Sequence, residues 1–290
     1  MKQPARITWI VQQLLKLPSN PVLDRLIVEL IKDYSTIDSL RSRFGWQMKL
    51  RPCSDPELLR VRSSAALGRY ERSYLKLLIQ LVKQGDAVVD VGAFEGYFTI
   101  PLAKKVGEEG HVFSIEPDPA NVEILQKNIQ LNQLTNVTVM PKAISDHHGV
   151  MMFHGDRAWG TLINCHILGP DQTVDVDVID NIIPENFKPP LTLIEIDVEG
   201  NEIRVIRGAK NIILSKRPIV SFEVNLTLLA YVDISMNEVF NFFRKNEYRL
   251  FKESHGKLRS FDWLNERVCN MLAIPAERLS TDSIKSALES

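Results

Sequence analysis

Two glycines, Gly92 and Gly96, stand in the segment Asp90-Val91-Gly92-Ala93-Phe94-Glu95-Gly96, which follows the apolar, β-branched run Ala87 to Val91. Glycine where a strand turns into a helix lets the backbone bend tightly and lets a ligand approach the main chain. A plain βα turn needs no more than this, so the glycines alone decide nothing. About 20 residues further on, Glu116 ends a second apolar run, Val112 to Ile115, where a carboxylate can accept hydrogen bonds from both ribose hydroxyls of an adenosine ligand. A nicotinamide dinucleotide would use the same carboxylate. Its G-x-G-x-x-G fingerprint, however, needs glycine at position 94, where Phe94 stands, and residue 97 is Tyr97. A diphosphate would lose its close backbone approach, whereas S-adenosylmethionine has no phosphate to accommodate. The spacing favours that methyl donor, with Asp90, Gly92, Ala93, Gly96 and Glu116 as its contacts.

Further acidic residues fall where later strands end. Ser145-Asp146 follows the third apolar run, and there an acidic side chain can reach the exocyclic amine of adenine or simply cap a solvated turn. His147 and His148 are adjacent, so their side chains diverge and no metal site is assigned. The fourth run ends in Glu195-Ile196-Asp197-Val198-Glu199-Gly200. Alternation places Glu195, Asp197 and Glu199 on one side if the strand persists. Charges at the C-terminal edge of a parallel sheet face the ligand crevice. Asp197 is the first candidate for a general base or an acceptor-positioning group, and Glu199 the second. Capping of the next helix is the competing role for Glu199 and Glu202. His154 and His166 are weaker candidates for the base, and Glu223 and Asn225 end the following strand.

The elements that position these groups alternate regularly from Asp86 onward. Strands are expected at 87–91, 111–115, 137–144, 191–196 and 218–224, with helices at 97–106, 121–131, 202–214 and 236–245. This rhythm indicates βαβ units and a parallel sheet with right-handed crossovers. Strands at 248–252 and 269–274 follow one another without a clear helix, which predicts antiparallel pairing at a sheet edge. Residues 150–153 and 173–178 read as inserted strands flanking an aperiodic stretch, 157–170, where acceptor selectivity is expected. Ahead of all this a helix is expected at 70–82.

The chain has 290 residues, 44% hydrophobic and 24% charged, with a formal net charge of −1, an ordinary profile for a soluble enzyme. That balance argues against a polyanionic partner, and no nucleic acid is expected. Cys53, Cys165 and Cys269 are odd in number and widely spaced, which fits a reducing, cytoplasmic setting. No stretch is long and apolar enough to cross a bilayer, although 7–17 has the spacing of a docking helix that could touch a membrane surface. Residues 1–65 read as a helical N-terminal extension, 66–276 as the catalytic domain, and 277–290 as a polar, frayed tail.

Val88-Val89-Asp90-Val91-Gly92-Ala93, Gly96-Tyr97-Phe98-Thr99, Ile115-Glu116-Pro117, Ala143-Ile144-Ser145-Asp146 and Ile194-Glu195-Ile196-Asp197-Val198-Glu199-Gly200 together resemble the FkbM-type methyltransferases over about 70–275. The resemblance implies a class I methyltransferase fold, a doubly wound, mostly parallel α/β sheet of seven strands. It also implies S-adenosylmethionine as cofactor and O-methylation of a sugar, glycan or macrolide hydroxyl. Phe94-Glu95 and Glu195 depart from the family pattern. An NAD-dependent sugar dehydrogenase and a non-catalytic binding module of the same fold remain the alternatives. The Asn-Pro-Pro-aromatic motif expected of a nucleic-acid methyltransferase is replaced here by Asp-Val-Glu-Gly.

Overall fold

The structure is a computed structural model and describes residues 10, 39–42, 45–49, 64–65, 70–153, 172–184, 186–229, 235–261 and 268–288. The stretch 157–170, His154, His166 and, apart from Ile10, the expected helix 7–17 lie outside the described residues. Within 1–65, the region read as helical, β1 (Ser39–Arg41) and β2 (Gln47–Lys49) pair as an antiparallel ladder. Lys49 N–H and Gln47 N–H tie this ladder to the rest of the chain by donating to Asn128 Oδ1 at 2.6 Å and Asn132 Oδ1 at 2.9 Å.

The catalytic layer begins with α1 (Arg72–Leu81), whose Tyr74, Leu75, Leu77, Leu78 and Leu81 form one buried stripe. Then β3 (Ala87–Val91), α2 (Thr99–Val106), β4 (His111–Ile115), α3 (Pro119–Leu131) and β5 (Val137–Met140) alternate as read from the sequence. Every residue of β3 is buried, as a strand covered by helices on both faces must be. Asp118 caps α3 by accepting from Ala120 N–H at 2.7 Å and Asn121 N–H at 3.0 Å, and Pro119 supplies a preset φ at its first turn.

The remaining elements are β6 (Ala143–Ile144), β7 (Gly149–Phe153), β8 (Gln172–Asp177), α4 (Ile179–Ile182), β9 (Leu191–Ile196), α5 (Glu202–Gly208), α6 (Lys210–Lys216), β10 (Ile219–Asn225), α7 (Leu226–Leu229), α8 (Met236–Lys245), β11 (Tyr248–Ser254), β12 (Lys257–Ser260), β13 (Val268–Pro275) and α9 (Asp282–Ala287). Eight strands, one more than expected, form the main sheet in the order β12-β11-β13-β10-β9-β3-β4-β5. From β10 to β5 neighbouring strands run parallel, while β13 slots antiparallel between β10 and β11. The fold is a doubly wound α/β sheet with an antiparallel edge.

Four details differ from the sequence reading. The expected strand 137–144 breaks at Pro141, which has no N–H to give a ladder, and β6 joins β7 and β8 in a separate three-stranded sheet. The expected helix 202–214 is two helices meeting at Ala209. The strand pair 248–254 and 268–275 is antiparallel, but it is not the edge itself: β13 lies between β11 and β10, and β12 extends the edge beyond β11. Residues 277–288 are not frayed: α9 buries Ile284 and Ala287 in the core cluster that includes α1. A composition that looks polar hides two apolar residues three apart, which is one helical face.

Candidate active site

Strand register arranges the α1/α2 face of the sheet in rows. Val88, Leu193 and Ile219 form an apolar row in the core. The next row toward the C-terminal edge is Ser114, Asp90, Glu195 and Ser221, set side by side on β4, β3, β9 and β10. Two residues further on, at the edge itself, come Glu116, Gly92, Asp197 and Glu223, with Asn270 paired to Glu223 across β13. This edge row is the floor of the crevice.

Gly92 has φ +89°, and a Cβ there would stand 1.8 Å from the Asp197 carbonyl oxygen. The chain after β3 passes so close to the end of β9 that only glycine fits, and Asp197 N–H donates to Val91 O at 2.9 Å across the same gap. Gly92 N–H and Ala93 N–H both donate to Ile115 O at 3.0 Å. Gly96 closes the turn by donating to Ala93 O at 2.8 Å.

Glu116 is buried beneath this loop. Its Oε2 accepts from Phe94 N–H at 2.8 Å, and its Oε1 from Asp118 N–H at 2.9 Å and Asn121 Nδ2 at 3.2 Å. Burial pushes its carboxyl up to about 7, against those three donors, which favour the ionised form. A carboxylate offers about four acceptor positions, so the three donors leave room for one ribose hydroxyl where two were expected. Asn128 adds a brace: its Nδ2 donates to Glu95 O at 2.7 Å while its Oδ1 holds β2.

The other cofactor candidates are placed differently. Asp90 is fully buried under the floor, its Oδ2 accepting from the Thr99 hydroxyl. Asp146 is engaged outside the edge row. His147 Nδ1 lies 2.9 Å from its Oδ1 and Arg207 Nη1 lies 3.7 Å from its Oδ2, and its carboxyl sits below the usual range despite partial desolvation.

At the other end of the crevice the groups are acidic. Asp197 is partly open, and desolvation raises it to about 6. Glu199, in the left-handed region at φ 52°, is raised to about 9 by desolvation and then by Asp197, Glu223 and Glu202. Glu223 rises to about 8 for the same reasons, desolvation first and Asp197 next. Glu202 Oε1 accepts from Gly200 N–H at 3.0 Å and Val198 N–H at 3.3 Å, which ties down the loop between β9 and α5.

Sequence reasoning missed the contribution of the first helix. Glu71, at the N-terminus of α1, is raised to about 7 by desolvation and then Asp197, with Asn270 Nδ2 donating to its Oε1 at 3.5 Å. Burial and then Glu71, Asp197, Glu223 and Glu199 hold the Tyr70 hydroxyl well above its usual range. Nothing local in the sequence marks either residue. The nearest signal is the strong helical pattern that begins at Tyr70 and must end somewhere on the sheet.

The family signature described as the methyltransferase FkbM domain matches residues 90–250, more than half of the chain. A probable cobalt-precorrin-6B C(15)-methyltransferase (decarboxylating) of Sulfurisphaera tokodaii is 32% identical over 104 residues, 34% of this chain and 53% of that protein. The chain thus spans about half the length of that relative. A hexuronic acid methyltransferase of Haloferax volcanii is 25% identical over 177 residues, 59% of this chain and 68% of that protein. A crystal structure of an FkbM methyltransferase from Methylobacillus flagellatus KT superposes with a TM-score of 0.44 at 16% identity, covering 76% of this chain and 55% of that one. The fold assignment rests on the strand order itself.

Proposed function

The chain belongs to the FkbM methyltransferase family, and we propose that it transfers the methyl group of S-adenosylmethionine to a hydroxyl oxygen of a sugar or glycan. The observation that carries this reading is the close crossing at Gly92, which sets Glu116 and Asp197 along one C-terminal sheet edge with a residue that has no side chain between them. The residues present fit the cofactor: Glu116 retains one acceptor position for a ribose hydroxyl, Gly92 has no side chain, and Ala93 has only a buried methyl. When bound, S-adenosylmethionine supplies an already electrophilic methyl group, so alignment of the acceptor oxygen carries much of the rate.

Asp197 is the general base of this reading. A carboxyl raised to about 6 is ionised at neutral pH yet basic enough to take a proton from a hydroxyl within hydrogen-bond reach. Glu199, raised to about 9, is protonated there and serves as a hydrogen-bond donor to the acceptor. The similarity to a hexuronic acid methyltransferase supports a sugar acceptor. The acidic end of the crevice favours a neutral or basic sugar over a free uronate. Asp197 is ionised at neutral pH, and a second negative charge there would add to the cost that already holds Glu71 and Glu223 above the ordinary carboxylate range. The fold serves in this role without a spanning helix: among the described residues none is long and apolar enough to cross a membrane.

The test pairs binding with turnover. Calorimetry with S-adenosylmethionine and its demethylated product should show binding, and methyl transfer should be faster to neutral or amino sugars than to uronates. Heat with NAD and none with either sulfur ligand would sink the reading.

A further inference from the structure

The row beneath the crevice floor is polar, buried and short of protons. Ser114, Asp90, Glu195 and Ser221 are at most 1% exposed. The Thr99 hydroxyl donates to Asp90 Oδ2, so the Ser114 hydroxyl, 2.7 Å from Thr99, donates to Thr99. Tyr74 donates to Glu195 Oε1 at 3.2 Å, and the Ser221 hydroxyl has the Tyr74 oxygen at 2.6 Å and Met271 O at 3.4 Å as its acceptors. Every hydroxyl proton in the row is thereby used. Asp90 Oδ1 and Glu195 Oε2 remain buried without a donor.

These two oxygens belong to directly opposed residues of β3 and β9. Adjacent strands lie only about 4.8 Å apart, and two ionised carboxylates at that spacing oppose one another strongly. Among the described residues the charged or titratable groups that act on the pair, besides each other, are acidic or hydroxylic: Glu71 just ahead of α1, Tyr74 in α1 and Asp197 just past β9.

We infer that Asp90 and Glu195 share a single proton, Glu195 Oε2–H donating to Asp90 Oδ1, and that positive charge entering the crevice above them expels that proton to solvent. One proton gives both orphaned oxygens a partner and removes one of two like charges. Burial pushes Asp90 up to about 7 against the Thr99 hydrogen bond, and burial together with Asp90 and Asp197 holds Glu195 well above the ordinary carboxylate range. A pair of this kind titrates as a unit. A sulfonium introduced over Gly92 lowers the cost of the second negative charge, whereas the neutral thioether of the demethylated product does not. The pair therefore acts as a charge sensor that separates donor from product, and it favours the donor more strongly as pH rises.

The inference rests on the cofactor reading, so its test has an arm that needs no ligand. Infrared spectroscopy of the unliganded protein at neutral pH should show a protonated-carboxyl band that disappears in Glu195→Gln. Calorimetry in two buffers of different ionisation enthalpy should show more protons released with S-adenosylmethionine than with its demethylated product, and that excess should shrink in Glu195→Gln. Equal proton release for the two ligands in the wild-type protein overturns the inference even if the variant does not fold. So does an excess of undiminished size in the variant, or the absence of a Glu195-dependent band. If neither ligand binds, the cofactor reading fails, and the band alone decides the shared proton.

Discussion

The two ends of the crevice are built on opposite principles. At the Glu116 end nearly every polar atom is satisfied: one carboxylate collects Phe94 N–H, Asp118 N–H and Asn121, and Asn128 ties the loop to β2. At the Asp197 end carboxylates from α1, β9 and β10 crowd together and push each other's protonation upward. The first end is a rigid cradle that can hold a ligand in one pose. The second stores unfavourable electrostatics, which is where a group with a tuned pKa is found when chemistry needs one. On the proposed function, binding and reaction are separated along one sheet edge by the backbone at Gly92.

Substitution at the reactive end should have the largest effect. Asp197→Asn keeps the shape and hydrogen bonding but removes the base, and single-turnover methyl transfer should slow by about two to four decades with cofactor affinity nearly unchanged. A variant of near-full rate would hand the role to another carboxylate and erase the contrast between the two ends.

Glu116→Gln tests the cradle. It replaces an acceptor pair with a side chain that presents a donor to backbone N–H groups, so cofactor affinity should fall about tenfold, or about 1.4 kcal/mol. Because either Phe94 N–H or Asp118 N–H then faces the amide NH2 in place of an acceptor, the melting temperature should fall as well. An affinity loss without any loss of stability would mean that Glu116 is less bound up in the loop than its hydrogen bonds indicate.

The acidic end should also show in the pH dependence of stability. Glu71, Glu199 and Glu223 have folded-state values of about 7, 9 and 8, all above the ordinary 4.5. The folded protein therefore holds more protons than the unfolded chain between pH 4.5 and about 9, and stability falls as pH rises through that window. Thermal melts across it should decline, and Glu199→Gln should flatten the decline. A flat wild-type profile would mean the crowded carboxylates are better solvated than their burial indicates.

The smallest effect is expected at Asp146. Its carboxylate is taken up by His147 and Arg207, so Asp146→Asn should change cofactor affinity by less than about threefold, within 0.7 kcal/mol or so. A larger loss would extend the cradle to the end of β6.

Much of this architecture is legible in the chain itself. The helix-strand alternation from Asp86 onward and the N-cap and proline of α3 are local signals, and the structure places most of those elements within a residue or two of their expected bounds. So are the positions of Gly92, Glu116 and Asp197 at strand ends, because a period of two or 3.6 and the terminus of an element are written in a few consecutive residues. The eighth strand was not legible, since β12 is short and alternates only weakly, nor was the helix α9 hidden in a polar tail.

The sequence by itself determined which residues end the strands, and so which side chains stand along the sheet edge. Only the tertiary structure decided what those side chains meet. Asp90 read as a cofactor contact because it adjoins the glycine turn, yet side-chain alternation turns it under the floor, opposite Glu195. Glu71 carried no signal at all until α1 packed its N-terminus against Asp197. Partners far apart in the chain, such as Tyr74 and Glu195, are set by strand register and helix packing. The burial and charge they impose, which fix whether a carboxylate is a base, a brace or a proton store, belong to the fold and not to any local stretch of chain.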